Sequence, residues 1–109
     1  MGNVAKDGVL RTGEEGWATA TLSSVTASLS SQLALAANTA RRGAILFNDA
    51  DARCLVCYGV TASASRVSLP VGPGQFIAIP TPIYTGRIDV IWESGLTAGT
   101  LFVTEQTEG

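Results

Sequence analysis

The 109-residue chain contains no histidine, and this absence removes the side chain that most often serves as the general base of a hydrolase. A Ser-His nucleophile needs a base whose pKa lies near neutral pH. Two pairs of neighbouring carboxylates remain, Asp49 with Asp51 and Asp89 with Glu93. The first pair lies in the run NDAD, which is better explained as a turn whose short polar side chains bond their own backbone. We therefore expect no catalytic residues and no enzymatic activity.

Basic clusters and long apolar runs are also missing. Seven basic residues face nine acidic ones, giving a net charge of -2, whereas nucleic-acid binding normally needs a dense basic face. No apolar run approaches the ~20 residues of a membrane-spanning helix, and the opening residues lack the pattern of a secretory signal. We expect synthesis in the cytoplasm, with neither nucleic acid nor membrane as a partner.

Cysteine is scarce, and its two copies form a CxxC spacing at Cys54 and Cys57. Such a spacing can belong to half a zinc site or to a redox pair. The run CLVCY has strand composition, however, and strand residues three apart project to opposite faces, so the two thiols cannot share a metal or form a disulfide. With no histidine and no second pair, we expect no metal site and no cofactor.

Aromatic residues make up only 6% of a chain that is 46% hydrophobic, so the core must be built mainly from Val, Ile, Leu and Ala. From Trp17 onward, short β-type runs alternate with turn clusters at the ~8–12-residue spacing of sandwiches and barrels. The runs are ATATLSSVTAS, SQLALAA, GAILF, CLVCY, RVSL, QFIAI, RIDVIW and TLFVTE. We predict one all-β domain over residues 17–109, an antiparallel β-sandwich of about eight strands, jelly-roll-like or Ig-like.

Alternation within the runs predicts which side chains face the core. The predicted faces are Ile88, Val90 and Trp92 against Arg87, Asp89 and Ile91, and Val67 with Leu69 against Arg66 with Ser68. The runs GAILF and QFIAI are apolar on both faces, which is typical of central strands or of a surface buried against another copy. We favour the second explanation for at least one of them.

One segment, SQLALAANTARR, also has the spacing of a helix, and Ala and Leu are strong helix formers. A strand is favoured because the preceding Ser, Thr and Val residues disfavour a helix, and because Leu33, Leu35 and Ala37 also fit an alternation.

Interface candidates come from three parts of the chain. Residues 1–16 are rich in glycine and charge and are predicted to form an extended arm, whose candidates, with the neighbouring tryptophan, are Arg11, Glu14, Glu15 and Trp17. The pair Arg41 and Arg42 precedes an apolar strand and suits either an acidic partner surface or salt bridges at a rim. Tyr84 and Trp92, with Tyr58, could form a sugar-stacking platform or could be core residues.

Several ordered motifs carry a resemblance to a known family. They are ARRGAILFNDADA at 40–52, YG followed by ASAS at 58–65, PVGPGQF at 70–76, IPTPIYTGRIDVIW at 79–92 and AGTLFVTE at 98–105. Together these motifs resemble small β-sandwich virion structural proteins of tailed bacteriophages, of the capsid decoration (cement) or head-fibre type. The resemblance spans roughly residues 25–105 and leaves the arm outside it.

The resemblance implies a function and a location. Such a protein binds the outer surface of the major capsid protein, stabilises the shell and resides on the virion, with no catalytic residue to carry over. We expect a homo-oligomer, a trimer by fold analogy, whose arm reaches across a neighbouring subunit. The alternative is a receptor- or carbohydrate-binding module of a head fibre or tail component, which predicts an exposed aromatic platform around Tyr84 and Trp92.

Overall fold

The computed structural model describes residues 19–59 and 61–107. The predicted arm, with Arg11, Glu14, Glu15 and Trp17, lies outside these ranges. Within them the chain forms eight strands and no helix: β1 (Thr19–Thr26), β2 (Gln32–Leu35), β3 (Arg41–Ala50), β4 (Cys54–Tyr58), β5 (Leu69–Val71), β6 (Phe76–Ala78), β7 (Ile88–Trp92) and β8 (Gly99–Thr107). The segment with helical spacing therefore contributes strand β2, as the sequence favoured.

The strands form two antiparallel four-stranded sheets. The first sheet has the order β1-β8-β3-β6 and the second has the order β2-β7-β4-β5. Strand β1 pairs with β8, β2 with β7, β3 with β6 and β4 with β5. The chain therefore follows the path of one long hairpin that is folded into a sandwich. This is the jelly-roll arrangement, and it confirms the all-β sandwich while deciding between the two predicted topologies.

The core lies between the sheets and is aliphatic, as the composition predicts. Alternate residues of the facing strands are buried, including Leu46, Val56, Leu101 and Val103. The predicted inner face of β7 is confirmed, with Ile88, Val90 and Trp92 all buried. Burying such side chains contributes about 1.5–3 kcal/mol each.

One polar side chain, Asn48, lies at the centre of this core. Its Nδ2 donates to the carbonyl oxygens of Ala52 and Val71, each at 2.9 Å, and its Oδ1 accepts from Trp92 Nε1 at 3.0 Å. The buried amide is thus satisfied on both sides. Residues 48–50 belong to β3, so the predicted turn begins only at Asp51. Asn48 bonds Ala52 across this turn and also bonds Val71 and Trp92 of the second sheet.

The fifth strand differs from its prediction. The sequence placed it at residues 66–69 with Val67 facing inward, whereas β5 begins at Leu69 and Val67 is 41% exposed. Residues before β5 instead form a bridge between Ser63 and Arg66. This local bridge includes Arg66, so the strand that the apolar alternation of RVSL predicted begins only at Leu69.

Candidate functional site

The outer face of the first sheet carries the most unusual surface of the described chain. Alternate residues of a strand point to opposite faces, so each residue that faces away from the core pairs across the sheet with another outward one. Phe47 pairs with Phe102 on β8 and with Phe76 on β6, and these are the three phenylalanines of the whole chain. The rings of Phe47 and Phe102 stack with centroids 6.2 Å apart.

A second row of small and apolar residues lies beside this aromatic row. Leu22 pairs with Thr104, which pairs with Ile45, which in turn pairs with Ala78. With Ser24, which pairs with Phe102, the two rows define a surface that we call the Phe face: Leu22, Ser24, Ile45, Phe47, Phe76, Ala78, Phe102 and Thr104. None of these residues is charged.

The Phe face is exposed. Phe76 is 68% exposed, Phe102 is 46% exposed and Leu22 is 76% exposed. Phenylalanine is usually among the most buried residue types, and contiguous apolar patches on a protein surface mark sites of association. None of the three phenylalanines belongs to the core, where Trp92 is the buried aromatic residue.

The outer face of the second sheet is covered by the chain itself. The backbone N–H of Thr61 donates to Asp89 Oδ2 at 2.9 Å, and that of Ala62 donates to Ser31 Oγ at 2.8 Å. Cys57 of β4 points away from the core and is buried beneath this segment, with its Sγ against the carbonyl oxygen of Arg66, and Leu55 on the same face is also buried. We call residues 61–66 the cover segment. It covers Asp89 and Cys57, whereas Leu33 on the same face stays 47% exposed.

Asp89 is the polar centre of the covered face. Its Oδ1 accepts from Arg87 Nε at 2.8 Å and its Oδ2 accepts from Ser31 Oγ at 3.3 Å. Burial disfavours the charged carboxylate, but the hydrogen bonds from Arg87, Thr61 and Ser31 outweigh it and lower the pKa of Asp89 below its ordinary value. The sequence placed Asp89 on a solvent face, and it is buried because the cover segment lies over it.

The two cysteines lie on opposite faces of β4, as predicted from their spacing. Cys54 belongs to the core and Cys57 lies beneath the cover segment, where its Sγ contacts the carbonyl oxygen of Arg66. Both are free thiols. Burial raises the pKa of Cys54 to about 12, which leaves it protonated and unreactive at neutral pH.

Arg41 is placed in the interior, away from any partner surface. Its Nε donates to Glu105 Oε2 at 2.8 Å. Its Nη1 donates to the carbonyl oxygens of Tyr84 and Gly86 at 2.7 and 3.0 Å, and its Nη2 donates to that of Ala36 at 2.6 Å. A planar guanidinium, which carries five N–H donors, suits this set of one carboxylate and three carbonyl acceptors. Of the two roles predicted for Arg41, the structure shows a salt bridge, with Glu105, and the buried side chain joins the ends of the two sheets.

The aromatic platform expected around Tyr84 and Trp92 is not formed. Trp92 is buried in the core with its indole N–H on Asn48, and the half-buried Tyr84 stacks on Tyr58 with centroids 4.3 Å apart. Arg42 is half-buried and donates to the carbonyl oxygen of Arg41. These predicted residues thus lie apart from the Phe face.

The predicted set of interface residues omitted all three phenylalanines. The signal was present in the sequence, because the two runs that are apolar on both faces, GAILF and QFIAI, contain Phe47 and Phe76. Run TLFVTE places Phe102 out of phase with the core residues Leu101 and Val103. Sequence alternation alone could therefore have identified all three rings.

The described part of the chain contains neither a metal-binding cluster nor a membrane-spanning helix. Residues 19–59 and 61–107 contain no group of three or more carboxylate and cysteine side chains arranged to hold a metal ion. These ranges also hold no helix that is long and apolar enough to cross a bilayer.

Comparisons with known proteins find no match: no protein-family model, no curated protein sequence and no solved structure is significantly similar to the chain. What the protein does is therefore inferred from its own sequence and surfaces.

Proposed function

We propose that this chain is a non-enzymatic virion structural protein that decorates a capsid, docking on the outer surface of the major capsid protein through the Phe face. The observation that carries the proposal is the placement of all three phenylalanines on the Phe face, whose eight residues carry no charge, with the exposed Asp49 of β3 beside it. The motifs that resemble phage decoration proteins supply the identity of the partner.

The physical basis is the removal of apolar area from water. Burial contributes roughly 25 cal/mol per Å², and aromatic side chains supply much of the binding energy at protein interfaces. Phe76 and Phe102 are 68% and 46% exposed, and this apolar area is available to a partner. A protein that binds only the assembled shell shifts the equilibrium toward that shell and so stabilises it.

The geometry supports a protein partner better than a sugar. Glycan and other small-molecule sites combine an apolar surface with convergent polar groups in a concave pocket. The Phe face lies on a sheet and offers only the hydroxyls of Ser24 and Thr104, while the indole expected to stack on a sugar, Trp92, is buried. The jelly roll itself serves both capsid and lectin domains and does not decide between them.

Co-sedimentation with expanded empty capsids tests the proposal. The double variant Phe76→Ser with Phe102→Thr removes the two most exposed rings. We expect at least about 10-fold weaker binding than wild type, since each hot-spot side chain commonly contributes more than 1 kcal/mol.

The matched control is Leu33→Ser, which removes a 47% exposed apolar side chain from the outer face of the second sheet. It should bind capsids as the wild type does. Undiminished binding by the double variant, or an equal loss in the control, would contradict docking through the Phe face.

A further inference from the structure

The four sheet edges of this sandwich differ in how they are protected. Exposed edges invite pairing with other chains, and proteins blunt them with short strands, irregular register, proline or charge. Strand β2 has four residues and a register shift, β5 contains Pro70, and β6 has three residues and is followed closely by Pro80. Strand β1 is the exception.

β1 is a long edge with none of these protections. It spans Thr19–Thr26 with the sequence TATLSSVT, which contains no charge, no proline and no glycine. In the first sheet it pairs with β8 alone. All of its residues are exposed except Val25, which is half-buried.

The hydrogen-bond phase of β1 identifies the backbone groups at the open edge. Ala27 N–H donates to the carbonyl oxygen of Gly99 at 3.0 Å, in register with the β1–β8 ladder. Along a strand, successive residues direct their N–H and C=O groups to opposite sides. Ser23 and Val25 therefore face β8, as Ala27 does. The outward groups belong to the alternate residues, Ala20, Leu22, Ser24 and Thr26.

We propose that this edge pairs antiparallel with β1 of a second copy, which joins two first sheets into one continuous eight-stranded sheet. A two-fold interface uses the same patch on both subunits and so must be self-complementary. Centred on Leu22, the pairing sets Leu22 against the partner's Leu22, and Ala20 against the partner's Ser24. Each pair contains residues whose backbone groups point outward.

The absence of charge favours a second copy over a different strand. A charged residue near the centre of a self-paired strand meets its own duplicate, and like charges directly opposite are destabilising. β1 avoids this penalty along its whole length. The pairing also covers the 76% exposed Leu22, whose neighbour across the two-fold axis is another leucine.

The pairing has a consequence for docking, and this consequence alone rests on the proposed function. The two-fold axis stands perpendicular to the joined sheet, so both Phe faces lie on the same side. Two linked docking surfaces bind more tightly than one, because the second contact becomes intramolecular. This arrangement is a dimer, in place of the trimer expected from fold analogy.

Hydrogen exchange and sedimentation of the wild-type protein without capsids test the pairing. We expect a mass of twice the 11.2 kDa chain. The outward amides of Leu22 and Ser24 should exchange at least about 100-fold more slowly than open amides. Ser23 and Val25, which face β8, are protected with or without a second copy and serve as internal controls.

A proline at the edge provides the variant. Ser24→Pro removes an outward N–H without touching the β8 ladder, and proline is tolerated on an edge whose N–H faces solvent. We expect monomers of 11.2 kDa, whereas the control Ser24→Thr, which keeps the N–H, remains dimeric. Leu22→Lys, which sets two charges together at the axis, should also give monomers and serves if the proline variant does not fold.

Several results would overturn the pairing. They are a monomeric wild type, a dimer that persists in Ser24→Pro or Leu22→Lys, and rapid exchange of the Leu22 and Ser24 amides within a dimer. Protection of those amides in a monomer also overturns it, because another segment of the same chain then covers the edge. Since capsids are absent, failure here leaves the docking proposal standing, and failure of capsid binding leaves the dimer standing.

Discussion

The outer faces of the two sheets both carry apolar side chains, but the described chain folds back over only one of them. On the second sheet, Leu55 and Cys57 point away from the core and are buried, Cys57 directly beneath the cover segment, residues 61–66. On the first sheet, Phe47, Phe76 and Phe102 have no such cover among the described residues. The difference shows that an outward apolar residue can serve the fold or a partner, and that only the tertiary surroundings distinguish the two.

The largest effect should come from truncating the covered face. Leu55→Ala removes a buried side chain and leaves a cavity that should lower the free energy of unfolding by about 2–5 kcal/mol. Urea unfolding followed by tryptophan fluorescence measures it. Leu33→Ala, on the same face but exposed, is the control and should cost less than about 1 kcal/mol. Equal costs would mean that Leu55 is not part of the packed interior.

The second-largest loss of stability should come from removing the charge of Asp89 beneath the cover segment. Asp89→Asn weakens the bonds from Arg87, Thr61 and Ser31 and should cost about 1–3 kcal/mol at neutral pH. Circular dichroism during urea unfolding measures the loss. A cost below about 0.5 kcal/mol would show that the cover is held by other contacts.

The same variant should change the pH dependence of stability. The pKa of Asp89 is lowered in the folded state, so the unfolded state binds the proton more tightly. Its contribution is therefore present above the ordinary aspartate pKa of about 4 and is lost as the pH falls below it. The pKa of Asp51 is also lowered, through its bonds to Thr97, so Asp51 contributes to the same loss of stability at acidic pH. In Asp89→Asn the free energy of unfolding should therefore depend less steeply on pH in the acidic range, but should still depend on it. An unchanged pH dependence would contradict the assignment.

A smaller effect is expected from the hydroxyl that links β2 to the cover. Ser31 Oγ accepts from Ala62 N–H and donates to Asp89, so Ser31→Ala should cost about 1 kcal/mol. Hydrogen exchange should show a faster Ala62 amide. Ser30→Ala, at an exposed neighbouring serine, should leave that amide unchanged, and equal rates in both variants would argue against the link.

The smallest effect on stability should come from the Phe face. Phe76→Ser alters a 68% exposed ring, and the free energy of unfolding should change by less than about 0.5 kcal/mol. Thermal unfolding compared with Leu55→Ala gives the contrast between the two faces directly. A loss above about 2 kcal/mol would show that Phe76 belongs to the packed interior.

The sequence was sufficient to predict the all-β sandwich, its eight strands and the inner face of β7, because turn residues and period-two alternation are local signals. It could not predict that residues 61–66 fold back over Asp89, since that cover depends on contacts between distant parts of the chain. For the same reason RVSL was placed too early, with Val67 facing inward.

The site was harder to predict than the fold. Arg41 and Trp92 are residue types that favour interfaces, and the sequence left each with two possible roles: a surface role, or a salt bridge for Arg41 and a core position for Trp92. Their burial depends on acceptors supplied from elsewhere in the chain, Glu105 for one and Asn48 for the other. The phenylalanines could have been found, since alternation places Phe102 opposite in phase to Leu101 and Val103.

Hydroxyl-radical footprinting of the free and the capsid-bound protein tests the central claim most directly. We expect side-chain oxidation of Phe47, Phe76 and Phe102 to fall sharply on binding, while oxidation of Leu33, on the opposite face, stays unchanged. Phenylalanines that are oxidised equally in both states, or protection at Leu33 in their place, would contradict the assignment of the Phe face as the docking surface.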